Sequence, residues 1–112
     1  MKYTFIDIVR GKLLKWRGSV LKRLKVRKVE TPYGSVRMVA RWSDRTFRMI
    51  VKGLYGFQYS SYISANDSPF IFVDIGANQG LYTLLAAENP FCRAVLAFEP
   101  VSMTFEWLKA NR

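Results

Sequence analysis

The sequence predicts an α/β fold in which a basic helix and a β-hairpin precede a strand–helix–strand–helix unit. Three observations predict it. Residues 70 to 75 are apolar apart from Asp74, the pattern of a strand covered on both faces in a parallel sheet. Leu81, Leu84 and Leu85 then recur at helical spacing, and Asn89-Pro90 supplies a stop. A second apolar run, Ala94 to Phe98, ends in Glu99-Pro100, and Val101, Phe105 and Leu108 follow at steps of four and three.

The front half is read the same way. Val9, Leu13, Trp16, Val20 and Leu24 recur every three or four residues, with Leu14 and Leu21 widening the stripe, which predicts a helix. Arg10, Lys12, Lys15, Lys22, Arg23 and Lys25 fall mostly off that stripe. Gly11 and Gly18, each costing roughly 1 kcal/mol relative to Ala in a helix interior, are expected to break the segment in two. Thr31-Pro-Tyr-Gly34 reads as a turn. Beyond it Val36, Met38, Ala40 and Trp42 alternate with Arg37, Val39 and Arg41, and after Ser43-Asp44 the run Thr46 to Val51 is also strand-like. The two runs are expected to pair as an antiparallel hairpin.

At 112 residues, half of them apolar, the chain has room for one packed domain and is not a disordered tail. A lone cysteine, Cys92, makes no internal disulfide, and the absence of histidine leaves a zinc site short of its usual ligands. No signal-peptide pattern and no stretch of roughly 20 apolar residues is present, so the expected location is the cytoplasm. Peripheral attachment to a membrane is the further expectation that the basic helix raises.

The net charge of +10 is unevenly placed. Residues 1 to 53 hold fifteen Lys or Arg against Asp7, Glu30 and Asp44, whereas residues 54 to 112 hold three against five acids. With the polar stretch Ser64 to Pro69, this shift sets the expected division: 1–69, a basic helical segment plus hairpin, and 70–112, the start of a ligand-binding unit. A basic amphipathic segment has three readings. It is a solvated face on an ordinary packed helix, a contact for an anionic membrane surface, or a phosphate-tracking surface for nucleic acid. The last is less favoured because no recognised nucleic-acid module accompanies the charge. Tyr55, Phe57, Tyr59 and Tyr62 could stack bases, but read more simply as core or pocket wall.

Chemistry appears in the back half. A right-handed crossover would set the two apolar strands parallel and open both following loops at one sheet edge, where ligands of open α/β sheets bind. Asp74 closes the first strand, and a buried carboxylate there needs donors from loop N–H groups or a bound ammonium. Gly76 permits a sharp turn, Asn78 tolerates left-handed geometry, and Gly80 permits close approach at the helix start. Glu99, closing the second strand, is placed to accept from both ribose hydroxyls of a nucleoside. A plainer reading makes G-x-N-x-G a tight strand-to-helix turn and Glu99 an acid favoured by a helix dipole.

The dinucleotide fingerprint G-x-G-x-x-G would need glycine at positions 78 and 81, where the chain has Asn78 and Leu81, so NAD is disfavoured. The phosphate-gripping G-x-x-x-x-G-K-[ST] is absent as well. The pattern D-x-G-x-x-x-G followed by a strand ending in an acid resembles the first two motifs of Rossmann-like S-adenosylmethionine-dependent methyltransferases. More narrowly, Val73 to Gly80, Tyr82-Thr-Leu84, Ala97-Phe-Glu-Pro100 and the Phe105, Leu108, Asn111 spacing resemble the FkbM-type methyltransferase family. The likeness covers residues 70 to 112 and reaches weakly back through Thr31-Pro-Tyr-Gly34 and Gly53.

The resemblance implies a Rossmann-like methyltransferase fold with S-adenosylmethionine as cofactor. It places Asp74, Gly76, Asn78 and Gly80 on the methionine side and Glu99 on the ribose. The implied reaction is O-methylation of a hydroxyl on a sugar or other small metabolite, with no catalytic base identified; an acceptor in nucleic acid is the alternative. The family's sheet has about seven strands, so the two read here are expected to belong to a truncated chain with little or no transferase activity. A non-enzymatic membrane-binding module is the remaining alternative.

Overall fold

The computed structural model describes residues 4–112, and a capping box sets its first element. Helix α1 (Phe5–Arg23) begins at Thr4, whose hydroxyl accepts from the Asp7 N–H at 3.2 Å, while Asp7 Oδ2 accepts from the Thr4 N–H at 2.9 Å. Two donors otherwise orphaned at the helix start are thereby satisfied. The Thr4 hydroxyl, 2.7 Å from Asp7 Oδ2, and then the Thr4 N–H hold this carboxyl below its ordinary range. Lys22 and Arg23 in the last turn complement the helix dipole.

Two expectations about this helix are corrected. Gly11 and Gly18 do not break it; α1 runs unbroken for 19 residues. Gly18 is instead a point of close packing, where a Cβ would sit 3.2 Å from Lys52 Cγ. The stripe also divides. Leu21 packs on the core and Leu14 approaches Gly53, whereas Phe5, Val9, Leu13 and Trp16 are exposed to solvent. At 100° per residue the two sets lie on opposite sides of the helix.

The turn at Thr31-Pro-Tyr-Gly34 joins strands β1 (Lys28–Glu30) and β2 (Arg37–Val39), paired antiparallel with Val29 opposite Met38. Both of those side chains are buried. The expected pairing of residues 36–42 with Thr46–Val51 is thus wrong: the partner of β2 precedes the turn, and the later run is helix α2 (Arg45–Val51). Asp44 decides the difference. Its carboxylate accepts from the Phe47 N–H at 2.7 Å, an N-cap that starts a helix, and Phe47, Ile50 and Val51 then bury one face at steps of three and four.

Helix α3 (Gln58–Ala65) leads into strand β3 (Phe70–Ile75), helix α4 (Leu81–Glu88), strand β4 (Cys92–Phe98) and helix α5 (Ser102–Asn111), the anticipated strand–helix–strand–helix order. The strands are parallel, with Ile71 opposite Ala94, Val73 opposite Leu96 and Ile75 opposite Phe98. Alternation separates the two faces. Phe70, Phe72 and Val95 pack on the core, while Ile71, Val73, Ile75, Leu96 and Phe98 lie on the other face and are exposed. Asn89 fastens the end of α4 to α3: its Nδ2 donates to Ile63 O and Asn66 O, each at 2.9 Å, and its Oδ1 accepts from the Phe91 N–H.

The hydrophobic core joins both halves. Val29, Met38, Phe47, Ile50 and Ile63 from the front contact Leu81, Leu85 and Ala86 from the back. Burying a side chain such as Phe47 or Leu85 stabilises the fold by about 1.5–3 kcal/mol. The described residues form a mixed α/β fold of five helices and two small sheets, and none of the helices is long and apolar enough to cross a membrane.

Candidate functional site

The loop after β3 is stitched to the end of β4. The N–H groups of Gly76 and Ala77 both donate to Phe98 O, at 2.8 and 2.9 Å. One residue on, the Asn78 N–H donates to Glu99 Oε2 at 2.9 Å, and the other oxygen of Glu99 accepts from the Val101 N–H at 2.9 Å. The parallel register therefore brings both strand-closing loops to one edge of the sheet, with Glu99 as the bridge between them. Each Glu99 oxygen keeps a lone pair for a further donor.

Asp74 is buried, 8% exposed, and its Oδ2 accepts from the Thr83 hydroxyl at 2.6 Å, one turn into α4. The chain turns between them through three left-handed residues: Gly76 (φ 77°), Asn78 (φ 54°) and Gly80 (φ 91°). The glycines serve different ends. A Cβ on Gly76 would meet nothing within 4 Å, so the main chain there borders open space, whereas one on Gly80 would collide with Leu108 of α5.

A cavity of about 150 Å³ opens at this edge. Asp74, Gly76 and Asn78 line it together with Thr46, Tyr55 and Tyr82, while Gly80 and Glu99 lie outside its lining. Of the five residues read from the sequence, three thus share one cavity wall; Glu99 joins them through Asn78, and Gly80 packs the turn onto α5. Burial, then the neighbouring Tyr55, Tyr59 and Asp74, push the Tyr82 phenol above its ordinary pKa, so at neutral pH it presents a neutral hydroxyl.

Two cavity residues went unread. Gln79 is 1% exposed; its Nε2 donates to Asp44 Oδ2 at 2.7 Å, its carbonyl accepts from Asn111 Nδ2 at 2.8 Å, and its Oε1 is a buried acceptor without a partner. Thr46 reaches the cavity from α2. The signal that would have placed Thr46 was Asp44 followed at position 47 by the first residue of an i, i+3, i+4 apolar set. Gln79 carried no such signal, since a polar residue inside a glycine turn reads as solvent-facing.

The cavity carries a mixed set of hydrogen-bonding groups. A buried carboxylate, an orphaned amide oxygen, a neutral phenol and approachable main chain surround the cavity, and a second carboxylate stands beyond Asn78. The volume is below the roughly 300 Å³ at which pockets for complete small molecules begin. Fold and site together define a mixed α/β domain with a glycine-turn cavity at the carboxyl ends of two parallel strands. No family model matches the chain, and no curated protein or solved structure matches it.

Proposed function

We propose that this domain binds S-adenosylmethionine and belongs to a methyltransferase of the FkbM type that methylates a hydroxyl of a sugar or other small metabolite. The single observation that carries the reading is the Asn78 N–H to Glu99 hydrogen bond, because it joins the glycine turn after one parallel strand to the acid closing the next. A nucleoside laid along that edge would meet Glu99 at its ribose hydroxyls and Asp74 at a cationic amino-acid end. Gly76 supports the same reading, since its open flank lets main chain approach the ligand without a Cβ intervening.

When bound, S-adenosylmethionine supplies a methyl group already activated by its sulfonium. The residues of this chain hold and orient. Asp74 balances positive charge in a part-dry setting where electrostatic interactions are strong, Tyr82 offers a neutral hydroxyl, and the Asp44–Gln79 contact fixes the turn before any ligand arrives.

The test is an NMR titration of the chain with S-adenosylmethionine, S-adenosylhomocysteine and ATP. The first two are expected to shift the amides of Gly76, Asn78 and Glu99, with Asp74→Asn weakening the effect about tenfold or more. Equal shifts from ATP, or none from the sulfonium compound, would end the proposal.

A further inference from the structure

Helix α1 presents to solvent an apolar stripe flanked by cations. Along its outer side run Phe5, Val9, Leu13 and Trp16, with Leu13 60% and Trp16 68% exposed. Cations border this stripe on both flanks. At 100° per residue Lys12, Lys15 and Lys22 fall to one side, and Arg10 and Arg17 to the other. The helix's one acid, Asp7, is engaged with Thr4 at the N-cap. Among the described residues the ion pairs are Arg37–Glu30 and Lys109–Glu106, so none of the α1 cations has a carboxylate partner there.

Beside the helix lies a second cavity, of about 510 Å³, bounded by Trp42 and by five cations, Lys22, Arg23, Lys25, Arg48 and Lys52, with no acid in its wall. Five like charges around one hollow repel each other unless an anion sits among them. The outward apolar stripe and the basic hollow thus ask for a partner that is apolar and anionic at once.

We propose that α1 docks this protein on an anionic lipid bilayer, its Phe5–Trp16 stripe lying in the interface and the neighbouring basic cavity receiving headgroup phosphates. A nucleic acid would neutralise the cations but leave the stripe in water. An apolar helix from another protein would cover the stripe but leave the cations unpaired. A bilayer surface answers both, because a helix lying in its plane buries one face to a depth of about 5–10 Å while basic flanks stay at headgroup level. Helix α1, about 28 Å long at 1.5 Å per residue, is held rigid for this by Leu14, Leu21 and Gly18 on its inner side.

The experiment is co-sedimentation of the full chain with vesicles of phosphatidylcholine alone or mixed with phosphatidylglycerol. Wild-type protein is expected to partition onto the mixed vesicles at least tenfold more strongly than onto the neutral ones. Leu13→Ser/Trp16→Ser changes no charge and removes only exposed side chains, so it folds as wild type and loses about tenfold or more in partitioning. Lys12→Gln/Lys15→Gln loses roughly 10- to 30-fold, near fivefold per cation, whereas the charge-matched Arg93→Gln/Arg112→Gln, far along the chain, stays within about threefold. Equal binding to both vesicle types, or no binding to the anionic ones, overturns the proposal. So does wild-type partitioning by Leu13→Ser/Trp16→Ser, which would show that charge alone holds the protein on the vesicles and that the stripe does not enter the bilayer.

Discussion

Gln79 Nε2 donates to Asp44 Oδ2 at 2.7 Å, joining residues 35 apart in sequence, and the same oxygen caps α2 through the Phe47 N–H. One carboxylate therefore starts a helix of the front half and fixes the glycine turn of the back half. Asp44→Ala is expected to cost about 1–2 kcal/mol for the lost cap and roughly 1–3 kcal/mol for the buried amide left unpaired. Asp44→Asn keeps an acceptor oxygen at that position and should recover at least half of the loss. Denaturant midpoints measure the sum, and amide exchange at Asn78 and Gly80 locates it. Unchanged protection of those two amides in Asp44→Ala would show that Asp44 does not hold the turn.

Asn111 performs a similar task from α5. Its Oδ1 accepts from the Val39 N–H of β2 at 2.7 Å, and its Nδ2 donates to Gln79 O at 2.8 Å, so it spans the hairpin and the turn. It is 5% exposed, and truncation would strand both main-chain groups away from water. Asn111→Ala should therefore destabilise the fold by about 2–4 kcal/mol. Faster exchange of the Val39 amide, beyond that of its β2 neighbour Met38, whose N–H faces β1 in the ladder, would identify the cause; uniform acceleration would mean that only global stability had changed.

These clamps explain why the back half was more legible than the front. Phe70–Ile75, apolar but for Asp74, and the apolar run Ala94–Phe98 have a helix between them, so period and length alone placed the strands, the second of which begins two residues earlier at Cys92, and parallel pairing followed from the crossover. Between Val36 and Val51 the same criteria failed, because the six residues Thr46–Val51, four of them apolar, fit a strand or a short helix equally. Asp44 broke the tie through a hydrogen bond that composition does not reveal. The outward face of α1 was unreadable for another reason: Leu14 and Leu21 sit beside Leu13 and Val20 in sequence, and only packing against the core and Gly53 shows which set turns inward. In the candidate site, Asp74, Gly76 and Asn78 stood out by residue type in a strand-to-helix turn. Gln79 and Thr46 depend on contacts with distant residues and did not.

The two glycines of the turn separate stability from ligand binding. Both have left-handed backbone, for which a Cβ costs roughly 1–2 kcal/mol. At Gly80 the added methyl also runs into Leu108, so Gly80→Ala should lose about 2–4 kcal/mol once overpacking is included. At Gly76 the methyl meets open space, so Gly76→Ala should lose only the backbone cost and still fold. If the cavity holds S-adenosylmethionine, Gly76→Ala must weaken its binding more than its own stability loss accounts for. Thermal melts and ligand titration of the two variants together distinguish these effects, and normal binding by folded Gly76→Ala would remove main-chain approach from the site.

Tyr33 makes the fold sensitive to alkali. Its ring is 2% exposed and stacks on Phe57 at 4.6 Å, and its hydroxyl oxygen accepts from the Tyr55 N–H at 3.0 Å. Burial is the main cause that pushes its phenol from 10.0 up to about 12, against the opposing pull of the Tyr55 N–H. Below pH 10 the phenol is protonated in both folded and unfolded chains, and its contribution is fully present. Between pH 10 and about 12 the unfolded chain releases the proton while the folded one retains it, so stability falls by roughly 1.4 kcal/mol per pH unit. The burial-raised phenol of Tyr82 adds to the same trend. Tyr33→Phe removes the larger part of this slope, at a cost of about 1–3 kcal/mol at neutral pH for the unpaired Tyr55 N–H. Urea titrations at several alkaline pH values, with tyrosinate absorbance followed in parallel, should show ionisation of Tyr33 coinciding with unfolding; ionisation near pH 10 in the intact fold would mean that its hydroxyl reaches water.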